Sequence, residues 1–180
     1  VPYLDLPAQM RGIRKEIDAA IARTLDNCSF CLGPDVVQFE KDFAKYCEAE
    51  HCVAFNSGTS ALHVAMILLG IGRDDEVITT PCTFVATSWA ISYVNAKPVY
   101  VDVDDATFNL KPELVAGAIT KRTKAIMHVH LYGHPANLEP LLKICRKHNL
   151  PLIKDACQAH GAKYKGKVVG TFGEISCYSF

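Results

Sequence analysis

The sequence predicts an α/β fold, a mostly parallel sheet packed between helices on both faces. The first basis for this is the alternation of short apolar runs with amphipathic stretches of about ten residues, the pattern of strands joined by crossover helices. The second is where the polar residues fall, because small, hydroxylated or charged residues follow each apolar run, where an open α/β sheet builds its ligand cleft. The third is size: 180 residues, 49% hydrophobic and 21% charged, suit one domain with a substantial core and not two large ones.

Taken in chain order, Ile13, Ile17, Ala20, Ile21 and Leu25 recur at helical spacing and predict a first helix. A second is expected to start after Gly33-Pro34 and to carry Val36, Phe39, Phe43 and Tyr46 inward. "HCVAF" (51–55) reads as a short buried strand, followed by the turn "NSGTS" and a helix over 59–70. The alternation continues with "DEVITT" as strand, "FVATSWAISYV" as helix, "KPVYVDV" as strand and "KPELVAGAI" as helix. "KAIMHVHL" as strand, "NLEPLLKICRKH" as helix and "LPLIKDA" as strand complete it. The last stretch, "AKYKGKVVGTFGEISCYSF", predicts a hairpin and a final strand.

Nineteen basic residues balance nineteen acidic ones, so charge gives no reason to expect nucleic acid or an anionic membrane as partner. Polar residues interrupt every apolar stretch well before the roughly 20 residues a membrane span needs. "VPYLDLPAQMRG" lacks the basic-then-apolar pattern of a signal peptide, which leaves the cytoplasm as the expected location. Among eight cysteines, Cys28 and Cys31 form a CxxC with Cys47 and Cys52 nearby, a set open to zinc or redox chemistry. The second pair has the wrong spacing for such a site, and Cys82, Cys145, Cys157 and Cys177 lie in apolar segments where a thiol acts as a small hydrophobe. Reduced, mostly buried thiols are expected.

Ser57, Gly58, Thr59 and Ser60 stand at the mouth of an apolar helix. A helix start presents N–H groups without internal partners together with partial positive charge, so this turn can hold an anion such as phosphate; it can equally be a plain N-cap. Asp155 follows the apolar run "LPLI" and precedes the small residues Ala156 and Cys157. A carboxylate at a strand end in an apolar cleft needs a cation partner, unless it caps the turn after it. His128 and His130 form an HxH on one strand face, a pattern open to metal but without a carboxylate cluster beside it.

Residues 32–104, from "LGPDVVQFEKDF" through "FNSGTSALHVAM" and "PCTFVATSWAIS" to "VYVDVD", resemble the N-terminal half of the DegT/DnrJ/EryC1/StrS family of sugar aminotransferases. "HLYGHPANLEPL" and "DACQAHGAKYKGKVVGTFGEISCYSF" continue the resemblance in family order. It implies a fold-type I large domain that uses pyridoxal 5′-phosphate (PLP). Residues 1–180 would comprise the N-terminal segment and most of that PLP-binding domain, with the small C-terminal domain absent from this chain. Gly58, Thr59 and Ser60 resemble the phosphate-binding turn, and Ser179 the hydroxyl that meets the same phosphate from the final strand. Phe84 resembles the aromatic residue stacked on the cofactor ring, with an ordinary core phenylalanine as the alternative. Asp155 resembles the catalytic carboxylate that pairs with the protonated pyridine nitrogen. Gln158 resembles the residue on the cofactor's 3-hydroxyl side, or is a solvated turn residue.

The resemblance further implies transfer of an amino group from an amino-acid donor, glutamate or glutamine, to a nucleotide-linked keto sugar, with a 3-keto sugar among the candidates. It implies a homodimer that shares its active sites. In the family a lysine a few residues after the "SF" pair anchors the cofactor, so it is expected beyond Phe180, and no residue of this chain takes that role. A dehydratase of the same family, with histidine in place of that lysine, and a non-catalytic sensor with a retained pocket remain the alternatives. Lys154, where the family commonly has Glu, and Cys157, where it has Ala or Ser, depart from the pattern without removing a named role.

Overall fold

The computed structural model describes residues 3–180. The chain divides between Asp42 and Phe43 into two compact units.

In the first unit, helix α1 (Leu6–Asp26) opens with a proline in its first turn and Asp5 as its cap, whose carboxylate accepts the Ala8 N–H at 2.9 Å. The helix forms as the apolar spacing predicts, yet buries none of its residues: Leu6, Met10, Ile13, Ile21 and Leu25 are all exposed. Arg23 reaches Asp35, in the first turn of helix α2 (Pro34–Tyr46), at 2.8 Å. The expectation that α2 carries Val36, Phe39, Phe43 and Tyr46 inward is corrected here. Its buried residue is Ala44, Val36 and Phe43 are half-buried, and Phe39 and Tyr46 are exposed.

The second unit is built on a parallel sheet. Its strands are β1 (Glu76–Thr79), β2 (Lys97–Tyr100), β3 (Thr123–Val129), β4 (Leu152–Asp155) and β7 (Ile175–Cys177), in the order β2-β1-β3-β4-β7. All four pairings are parallel; helices connect β1 to β2 and β3 to β4, and the hairpin segment connects β4 to β7. Helices α3 (Gly58–Leu68) and α4 (Ala86–Tyr93) pack Leu62, Met66, Ala90 and Ile91 on one face, against Val77, Met127 and Ile153. Helices α5 (Pro112–Ala118) and α6 (Leu138–His148) pack Val115, Leu138 and Leu141 on the other, against Ile78, Ile126 and Leu152. Adjacent strand residues thus serve opposite cores, the consequence of the two-residue period. A short antiparallel hairpin, β5 (Lys163–Tyr164) and β6 (Lys167–Val168), precedes β7 as predicted.

The stretch 51–55 departs from the predicted strand. It belongs to neither sheet, and Val53 and Phe55 are exposed while Cys52 and Ala54 are half-buried. Alternation at a period of two is present, but a strand exists only through a ladder with a neighbour, and both sheets close their ladders without this segment. The thiols are also less buried than expected. Cys47, Cys145 and Cys177 are buried, Cys52, Cys82 and Cys157 half-buried, and Cys28 and Cys31 exposed. No group of three potential ligands for a metal ion occurs among the described residues, and no described helix is long and apolar enough to cross a membrane.

Candidate active site

The carboxyl ends of β1, β4 and β7 and the N-terminus of α3 bring together the residues singled out in the sequence. At the mouth of α3 the cap is Ser57. Its extended backbone (φ −164°) turns the hydroxyl to accept the Ser60 N–H at 3.1 Å, and it donates to the Ser60 hydroxyl at 3.1 Å. Capping therefore belongs to Ser57, and the Ser60 N–H is committed to it. Gly58 and Thr59 occupy the first two helical positions, where an N–H has no intrahelical acceptor.

Gly58 is glycine for a steric reason. A Cβ added there would lie 2.7 Å from Cβ of Ser179, 3.0 Å from its Oγ and 3.0 Å from Sγ of Cys157. The first turn of α3 and Ser179, two residues after β7, thus approach as closely as backbone permits, and the Ser179 hydroxyl stands beside the open end of the helix. Two N–H groups, a hydroxyl and the positive end of a helix dipole are the donor set of an anion cradle.

Asp155, the last residue of β4, is 5% exposed. Its Oδ2 accepts the Thr87 hydroxyl at 2.6 Å, and its Oδ1 accepts the Cys157 N–H at 3.2 Å. The second bond is the turn cap considered from the sequence; the first crosses 68 residues of chain and is no cap. Both donors are neutral, so the carboxylate remains free to pair with a cation in the cleft. Burial and the adjacent Asp155 charge push the Cys157 thiol well above its ordinary range, so it stays protonated.

Phe84 is 64% exposed and so is not the core phenylalanine that was the alternative. It follows Thr83 just before α4, whose first turn holds Thr87. Gln158 is exposed, but its Oε1 accepts the Tyr132 N–H at 2.8 Å. Tyr132 sits in the left-handed region (φ 52°) beside Gly133 (φ 82°), so the turn after β3 is held in an uncommon conformation against the Gln158 segment.

Behind Asp155, on the opposite face of the sheet, lies a buried polar cluster. His130 Nδ1 accepts the Ala136 N–H at 2.9 Å, so its proton sits on Nε2, which donates to His128 Nε2 at 3.2 Å. Both rings are neutral. Burial, with help from Lys154 and His134, lowers the His130 imidazole to about 4. Lys154 is 1% exposed and its Nζ has no hydrogen-bond partner; burial lowers the ammonium to about 8, opposed by nearby Glu174. The HxH is therefore a structural pair, and His160 packs among Phe43, Tyr178 and Phe180.

Sequence reasoning missed Thr87 and left open which residue of the turn 57–60 caps α3. Thr83, Thr87, Ala90 and Ile91 follow the i, i+4, i+7, i+8 pattern of an inward helix face, and two hydroxyls opening such a face are a signal that polar groups beneath need partners.

An anion-ready helix turn on the same face of a parallel sheet as a buried strand-end carboxylate defines a cofactor-binding α/β domain. The chain belongs to the DegT/DnrJ/EryC1/StrS aminotransferase family, whose profile it matches over residues 11–180. It is 46% identical over all 180 residues to the dTDP-3-amino-3,4,6-trideoxy-alpha-D-glucose transaminase of Streptomyces venezuelae, of which it covers 48%. Among solved structures it is similar to S. venezuelae DesV in complex with a ketimine intermediate, with a TM-score of 0.96 and 46% identity over 100% of this chain and 48% of that one. It is also similar to NtdA from Bacillus subtilis with bound cofactor PMP, with a TM-score of 0.91 and 32% identity over 98% of this chain and 40% of that one. The chain spans about half the length of the relatives it matches.

Proposed function

We propose that this chain is the N-terminal segment and most of the PLP-binding domain of a longer aminotransferase. That protein would move an amino group from glutamate or glutamine to a nucleotide-linked 3-keto sugar in amino-sugar biosynthesis. The observation that carries the reading is the meeting of two features at Cys157: the first turn of α3, closed against Ser179 and Cys157 Sγ, and the buried Asp155 carboxylate, which accepts the Cys157 N–H and the Thr87 hydroxyl, both neutral donors. One suits a phosphate dianion and the other a protonated pyridine nitrogen, and PLP carries both. The S. venezuelae transaminase supports the sugar class, because its name places the new amino group at C3.

The residues present fit the cofactor. Gly58 and Thr59 N–H groups and the Thr59 and Ser179 hydroxyls would hold the phosphate, with Ser60 tied into the helix cap. Phe84, exposed at the start of α4, would cover one face of the ring, and Gln158 would hold its 3-hydroxyl side. When bound, PLP supplies a ring that accepts electron density from the substrate carbon as its proton leaves. Asp155 would pair with the pyridine nitrogen and favour its protonated form, and its burial would limit the water that screens such a pair. The protein is further expected to be a cytoplasmic homodimer with its active sites shared across a two-fold axis.

The test is absorbance of the full-length protein. It should carry or acquire a pyridoxal chromophore that shifts when glutamate or glutamine is added, and Asp155→Asn should suppress the shift severely. Full-length protein that never acquires the chromophore would overturn the reading.

A further inference from the structure

We infer that Thr87, backed by Thr83, is a positioning residue that sets the Asp155 carboxylate for the cofactor's ring nitrogen through a two-hydroxyl relay. The inference rests on the cofactor reading above. Thr87 is fully buried in the first turn of α4, and its hydroxyl lies 2.6 Å from Asp155 Oδ2 and 2.7 Å from the Thr83 hydroxyl. An ionised carboxylate only accepts, so the single Thr87 proton is committed to Asp155. The proton in the Thr83–Thr87 contact must then come from Thr83. The relay has one direction: Thr83 donates to Thr87, and Thr87 donates to Asp155. Each bond polarises the next, and the last is charge-assisted.

The relay ends on one oxygen while the Cys157 N–H holds the other, so rotation of the carboxylate about its Cβ–Cγ bond is fixed at both ends. Packing alone does not ask for this residue, since valine has the same shape and β-branching. The five residues 83–87 also include Phe84. One segment therefore governs both partners of the ring, the aromatic side chain toward its face and the carboxylate toward its nitrogen.

The experiment measures binding of pyridoxamine phosphate to the full-length protein against its 1-deaza analogue, in which carbon replaces the ring nitrogen. The ratio of the two affinities reports the Asp155 contact without requiring turnover. Thr87→Val should narrow that ratio about tenfold, the effect of losing one charge-assisted hydrogen bond. Thr87→Ser should keep the wild-type ratio, and Thr83→Val, which leaves the inner bond in place, should narrow it about threefold. Asp155→Asn is the control for the underlying reading: if the ratio survives that change, Asp155 does not meet the ring nitrogen and the cofactor reading fails. If Asp155→Asn collapses the ratio while Thr87→Val preserves it, the relay alone is overturned. Equal losses in Thr87→Ser and Thr87→Val would also overturn it, as packing would then be the cause. Should Thr87→Val not fold, Thr83→Val decides: an unchanged ratio removes the relay.

Discussion

Replacing Gly58 by alanine perturbs the site by one methyl group whose surroundings are known. The new Cβ would sit 2.7 Å from Ser179 Cβ and 3.0 Å from Cys157 Sγ. Ser179 Cβ is one bond from backbone and cannot swing aside, so the segment after β7 or the first turn of α3 has to move. Forcing a methylene into a packed region costs about 1–3 kcal/mol. Alanine in place of glycine at a helical position returns roughly 0.5–1 kcal/mol. The net expectation is a loss of about 1 kcal/mol of stability. The larger effect falls on the cofactor, because the donors of α3 and Ser179 no longer converge; PLP affinity should drop about ten- to a hundredfold, the equivalent of one charge-assisted bond. Both quantities are read on the full-length protein, by denaturant melts without cofactor and by absorbance titration with it. Ser179→Gly removes the clashing Cβ, so the double variant should recover the stability lost by Gly58→Ala while affinity stays low for want of the Ser179 hydroxyl. A neutral Gly58→Ala, or a double variant no more stable than the sum of its singles, would refute the reasoning.

Ser57→Ala should cost about 1 kcal/mol of stability by uncapping α3; Thr59→Ala should spare the cap and instead narrow the affinity gap between PLP and unphosphorylated pyridoxal, so the opposite assignment of effects would exchange their roles. His130, lowered to about 4 in the fold from 6.5, makes the unfolded chain take up a proton first as pH falls. The contribution is complete above pH 6.5 and is lost between 6.5 and about 4, at a cost of about 3 kcal/mol, with buried His128 adding in the same direction. His130→Asn, which keeps an acceptor for the Ala136 N–H, should flatten the pH dependence of denaturant melts, and an unchanged slope would contradict the burial argument. Light scattering should report a dimer for the full-length protein; an active monomer at micromolar concentration would contradict the shared site.

Much of the sheet was legible because its inner strands β1, β3 and β4 are apolar runs that feed two cores at once, as in "EVIT" and "LPLI". Asp155 was legible for the opposite reason: a charge at the end of such a run conflicts with its surroundings and demands an explanation. "HCVAF" misled because an apolar run signals burial, whereas strand formation depends on a neighbour that local sequence cannot reveal. Thr87 was hidden by its chemistry, since threonine is ordinary in a helix and its partner lies 68 residues away. At the mouth of α3, four candidate capping residues in succession left Ser57 and Thr59 indistinguishable until backbone angles separated them. The inward face of α2 and the absence of buried residues on α1 likewise depend on tertiary packing, which helical periodicity constrains only in part.

The central claim is that one cleft holds the two ends of PLP, and a crystal structure of the full-length protein grown with the cofactor tests it most directly. The account predicts phosphate density within hydrogen-bond distance of the Gly58 and Thr59 N–H groups and of Ser179 Oγ, with the pyridine nitrogen against an Asp155 carboxylate oxygen. Phosphate bound away from the first turn of α3, or a ring nitrogen facing any group other than Asp155, would contradict it.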